Sequence, residues 1–151
     1  MKIKRLLLSA ALVALCATAA CAQRLFKDLP AGPGITKTYL GSALIGTAAA
    51  DIPTEYIKMD KLTGMEVLSI EPEGRHNNAD AIARARAIID AFVKTHNLSA
   101  AVENEDDEDI NIIYLSPDDA TGNVYGIILN LEPKEHELNA VVISGQRKAA
   151  E

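Results

Sequence analysis

Ile110-Asn111-Ile112-Ile113-Tyr114-Leu115 is followed by Ser116-Pro117-Asp118-Asp119-Ala120-Thr121-Gly122-Asn123, by Val124-Tyr125-Gly126-Ile127-Ile128-Leu129-Asn130-Leu131, and, past Pro133-Lys134-Glu135-His136, by Leu138-Asn139-Ala140-Val141-Val142-Ile143-Ser144. The apolar runs are short, rich in β-branched residues and bounded by Pro, Gly, Asn and Asp, so they read as strands. Leu98 to Val102 precedes them as a fourth, with the acidic Glu103 to Asp109 as the link. Four consecutive strands with short links form an antiparallel meander. Ile127-Ile128-Leu129 puts apolar side chains on both faces of its strand, which implies a covering surface on each.

Upstream the period changes. Ile82, Ala85, Ile89, Phe92 and Val93 recur at helical spacing and define one buried face of a long helix, with Asn78 as its expected N-cap and Asp80 complementing the helix dipole. Asp80 with Arg84, Arg86 with Asp90 and Asp90 with Lys94 are i,i+4 pairs on the wetter sides, each worth about 0.2–0.5 kcal/mol, and mark a solvated face. Earlier still, Ile35 to Leu40 and Gly64 to Glu71 read as strands, Ser42-Ala43-Leu44-Ile45 as a short second helix, and Asp51 to Asp60, with Pro53, as a connection. The expected fold is a two-layer α+β domain over residues 35–145: one mostly antiparallel sheet with two helices packed on one face. Residues 23–34, with Pro30, Gly32, Pro33 and Gly34, read as a flexible lead-in, and 146–151 as a disordered tail.

The first 22 residues read as a signal peptide. Lys2, Lys4 and Arg5 form a cationic start, and Leu6 to Ala20 is an apolar run shorter than the roughly 20 residues a membrane span needs. Ala20-Cys21-Ala22 fits cleavage after Ala22, leaving Gln23 first and the protein periplasmic or secreted. The alternative is Thr18-Ala19-Ala20-Cys21 as a lipoprotein signal, which would anchor the domain through lipidated Cys21. Thr18 stands where leucine is usual, which favours the first route.

Both cysteines, Cys16 and Cys21, lie before Ala22, so the mature domain has no disulfide, thiol nucleophile or cysteine metal site. The leader holds three bases and no acid; of the whole chain's 15 basic and 21 acidic side chains, 12 and 21 remain, a net charge of −9. This balance argues against nucleic acid and anionic lipid as partners.

With these elements placed, the chain resembles a family of exported bacterial proteins catalogued as domain of unknown function 4252. The resemblance lies in Gly34-Ile35-Thr36-Lys37-Thr38-Tyr39-Leu40 running into Ser42-Ala43-Leu44-Ile45, in Leu62 with Met65-Glu66-Val67-Leu68, in the Ala83 to Phe92 helix and in the closing Ala140-Val141-Val142-Ile143-Ser144-Gly145. It implies a Gram-negative envelope and no established catalytic residues.

A search for chemistry finds little. His76, His96 and His136 are far apart and in no metal-binding spacing, and each reads as a surface residue. A hydrolase would need His96 or His136 to meet an acid through the fold. No G-x-S-x-G elbow or glycine-rich phosphate motif is present, and Ser42, Ser69, Ser99, Ser116 and Ser144 lack the surroundings of a nucleophile. No catalytic residue and no cofactor is implied. In the acidic run, Glu103, Glu105, Asp107 and Asp109 are candidate calcium ligands, though the run lacks the turn glycine and closing glutamate of an EF-hand, and an ordinary charged link is the plainer reading. The expectation is a non-enzymatic envelope module, binding an envelope protein, a small ligand or a second copy of itself through the sheet face without helices. A small hydrolase and a calcium-responsive module are the alternatives.

Overall fold

The computed structural model describes residues 24–41, 63–106, 108–117 and 123–146. They form β1 (Ile35–Gly41), β2 (Gly64–Ile70), α1 (Ala79–Thr95), β3 (Ser99–Glu105), β4 (Ile110–Leu115), β5 (Asn123–Glu132) and β6 (Glu137–Gln146). The strands make one six-stranded sheet in the order β1-β2-β6-β5-β4-β3, every neighbouring pair antiparallel. A β1–β2 pair occupies one side, α1 carries the chain to β3 at the far edge, and the meander returns until β6 lies beside β2.

All six expected strands are present, and the fold is α+β with the sheet dominant. Among the described residues there is one helix. The second expected helix at Ser42–Ile45, the connection at Asp51–Asp60 and the signal peptide lie outside the described residues, as do positions 147–151 of the expected tail. Gln146, expected in the tail, instead ends β6 opposite Asn123.

Period-two alternation sorts the strand side chains. Leu68 and Ile70 of β2, Leu138, Ala140 and Val142 of β6, and Ile127 and Leu129 of β5 form one buried cluster with Ala85 and Ile89 of α1, edged by the partly buried Ile82, Phe92 and Val93. Each fully buried Leu, Ile or Val contributes roughly 1.5–3 kcal/mol. The helical face read from spacing is the face that packs.

The opposite sheet face is also buried. Leu40, Met65, Val67, Val141 and Ile143 are at most 1% exposed, while Ile113 and Ile128 are half-buried. The part of this face toward β1, β2 and β6 is thus both apolar and buried.

Residues 24–34 do not stand off the domain as a flexible lead-in would. Arg24 to Leu29 makes a turn, with the Leu29 N–H donating to the Phe26 carbonyl at 3.1 Å, and Phe26 (0% exposed) and Leu29 (2%) join the helix-side cluster. The reason is composition: these two large apolar side chains precede the helix-stopping Pro30 and can reach the sheet.

Candidate functional site

Among the described residues, the buried charged side chain is Glu66. It lies in the middle of β2, opposite Tyr39 of β1 and Val142 of β6. The pleat turns it to the helix side, where it is 5% exposed. The Arg24–Leu29 turn lies over it: the Leu25 and Phe26 backbone N–H groups donate to its two carboxylate oxygens, the latter at 2.9 Å. Lys37, two residues from Tyr39 on the same face of β1, fastens the other end of the turn through Nζ to the Leu29 carbonyl at 2.7 Å and the Phe26 carbonyl at 3.5 Å. The Arg24 guanidinium carbon sits 5.3 Å from the Tyr39 ring centroid, within cation–π range.

These groups border a cavity of about 260 Å³ lined by Arg24, Phe26, Lys27, Lys37, Thr38, Tyr39 and Glu66. Loss of water around the buried carboxyl pushes the Glu66 pKa above the ordinary glutamate range; the Phe26 and Leu25 N–H groups and the Arg24 and Lys37 charges pull against this without cancelling it. The arrangement offers positive charge, an aromatic face and a proton held more tightly than usual.

A second, more open cleft of about 450 Å³ lies beside the first turn of α1, between Pro30 and Ala31 on one side and Arg75, His76 and Arg84 on the other. Its floor is set by Asn78. The expected N-cap role fails there: Asn78 is left-handed (φ 55) and makes no capping bond. Its amide instead donates to the Pro33 carbonyl at 2.8 Å and the Glu71 carbonyl at 2.7 Å, and the Ala79 N–H goes to Asn77 Oδ1 at 3.2 Å. Gly34 passes so close, at φ +75, that a Cβ there would lie 2.1 Å from the Glu71 carbonyl oxygen.

The acidic run divides. Glu103 and Glu105, expected in a link, belong to β3, which continues to Glu105 because Glu103, Asn104 and Glu105 pair with Ile112, Asn111 and Ile110. Only Asp106–Asp109 is left for the turn, closed by Asp106 Oδ1 accepting from the Asp109 and Glu108 N–H groups at 2.7 and 2.8 Å. Those bonds hold the Asp106 carboxyl below its usual range. Asp107 lies outside the described residues. Among the described residues no three His, Cys, Asp or Glu side chains gather as metal ligands.

The histidines remain apart. His76 is exposed in the loop before α1, His136 is exposed in the β5–β6 turn at φ 53, and His96 caps α1 at the other end of the sheet, its ring 4.2 Å from that of Phe92. None is brought to the Glu66 cavity.

Sequence reasoning passed over Glu66, Lys37 and Arg24. The signal that could have pointed to Glu66 is its setting in Met65-Glu66-Val67-Leu68, an acid alone in an apolar strand. No described helix is long and apolar enough to cross a membrane. No family model, curated protein or solved structure matches the chain.

Proposed function

We propose that this chain is an exported, non-enzymatic binding module of the bacterial envelope, and that its ligand site is the cavity over Glu66. The observation that carries the reading is the convergence of Arg24, Lys37, the Tyr39 ring and a buried carboxyl on one cavity. A concave site with a few aimed polar groups and a perturbed ionisable residue is where binding is expected first. On an acidic chain, three basic side chains at one cavity select a small molecule with an anionic group.

The segment directly after the expected processing point is tied into the core by Phe26, Leu29 and Glu66, so a chain beginning at Gln23, or lipidated at Cys21, keeps the whole domain. Intact mass of the mature protein distinguishes these two starts. Membership of the family named above is proposed on the same footing.

Titration of the mature protein with acetate, succinate and inorganic phosphate, read by melting temperature, tests the site. A ligand at 100 times its Kd stabilises by about 2.7 kcal/mol, a readily measured shift. Arg24→Gln should weaken the response at least tenfold. Flat melting curves for all three anions would sink the cavity as an anion site.

A further inference from the structure

Glu66 is enclosed, whereas the bases that share its cavity face water. Its side chain lies 5% exposed in mid-strand, while Arg24, Lys27 and Lys37 are all exposed. Water and salt screen a charge on the rim of a cavity far more than one within its wall. The carboxyl therefore gives up most of its hydration and recovers only part of it from the Leu25 and Phe26 N–H groups and the Arg24 and Lys37 charges. A further charge placed in the cavity acts directly on this balance.

The Arg24–Leu29 turn presents Arg24 and Lys27 to the cavity; Asp28, in the same turn, is exposed and outside the lining. From β1 come Lys37 and the Tyr39 ring, and from β6 the apolar Val142 directly opposite Glu66. Among the described residues, no charged side chain of α1 acts on the carboxyl. Arginine, lysine and tyrosine ordinarily keep their protons up to about pH 9, and no histidine is among the described lining residues. Glu66 is thus the described lining group that changes charge between mild acid and mild base. With three bases against one acid the lining carries a net charge of +2 when Glu66 is ionised and +3 when it is protonated.

We infer that the cavity takes up its anion together with one proton, drawn from solvent and held on the Glu66 carboxyl, so that the ligand is bound in acid and released as pH rises. The inference rests on the anion reading of this cavity and adds its regulation. An anion seated among Arg24, Lys27 and Lys37 is a like charge to ionised Glu66 and favours the protonated form. The coupling is reciprocal, so the proton strengthens anion binding by the same factor. Above the Glu66 pKa of the free protein, affinity falls about tenfold per pH unit, until the higher pKa of the complex is reached. The proton does not require the turn to open, because a protonated carboxyl still has acceptor capacity for the Leu25 and Phe26 N–H groups.

Methanesulfonate is the probe, because its single negative charge is fixed across the range and any pH dependence then belongs to the protein. Its calorimetric titration into the mature protein from about pH 5 to about pH 8 should show affinity falling with pH, about tenfold per unit over at least one unit. The heats in two buffers of different ionisation enthalpy should report uptake of up to one proton per anion above the Glu66 pKa. Glu66→Gln, neutral at every pH, should bind with the acid-limit affinity of the parent and a flat profile; should that variant fail to fold, the proton count on the parent decides. Binding with no pH dependence and no proton uptake would overturn the coupling and leave the anion site standing. No binding at any pH would overturn both. A dependence that persists in Glu66→Gln and disappears in His76→Gln, His96→Gln or His136→Gln would overturn the coupling by moving the proton to a histidine.

Discussion

Gly34 and Gly74 both have positive φ, at 75° and 60°, yet only one is crowded. A Cβ on Gly34 meets the Glu71 carbonyl oxygen at 2.1 Å and Asn78 Nδ2 at 2.7 Å, whereas Gly74 has nothing within 4 Å. Gly74→Ala should therefore cost only the left-handed penalty, about 1–2 kcal/mol, and Gly34→Ala distinctly more, because backbone must move as well. Urea midpoints of the two variants check this; equal losses would contradict it. Glu66 supplies a second residue-scale prediction. Its folded pKa lies above the ordinary glutamate value of 4.5, so the folded protein holds the proton more tightly. The contribution of this group to stability is therefore full below about pH 4.5 and is lost as pH rises through the folded value. Glu66→Gln should remove that part of the slope. Denaturation midpoints taken across the window just above pH 4.5 should fall with pH in the parent relative to the variant, and the opposite trend would show the assigned shift to have the wrong sign.

At the scale of elements, α1 separates packing from propensity. Ile89 is fully buried against the sheet and Ala87 is exposed on the same helix. Ile89→Ala should cost about 2–5 kcal/mol through the cavity it leaves. Ala87→Gly should cost about 1 kcal/mol through backbone entropy alone. Thermal unfolding followed by circular dichroism measures both. The elements were also what the sequence made most legible: Ile82, Ala85, Ile89, Phe92 and Val93 repeat with the helix, and the β-branched runs alternate with the strand, because burial of one face imposes a period on a local stretch. Partners distant in sequence leave no such period. Glu66 reads by position as one polar residue in a strand, and the N–H groups that hold it are 40 and 41 residues away. Asn78 has the composition of a cap, but its amide is claimed by carbonyls at Pro33 and Glu71. β3 runs on through Glu103 and Glu105, whose β-propensity is poor, because pairing with Ile112 and Ile110 outweighs it.

For the molecule as a whole, the Arg24–Leu29 turn belongs to the fold. Deleting residues through Leu29 removes Phe26 and Leu29 from the core and the two N–H donors from Glu66. The truncated domain should lose several kcal/mol, roughly two large buried side chains, and show an earlier urea midpoint. An unchanged midpoint would show that residues 24–29 are dispensable. The sheet order has a consequence in time. β6 lies between β2 and β5, and β2 meets it through pairings such as Gly64 with Ser144 and Ile70 with Leu138. The most C-terminal of the described strands thus closes the middle of the sheet, and until it emerges the β1–β2 pair and the β3–β5 meander have no shared partner. Contacts of such long sequence separation make folding slow. Until residues 137–146 are available, the two halves of the sheet cannot be joined into one layer, so the helix-side core that spans β2, β6 and β5 is assembled late.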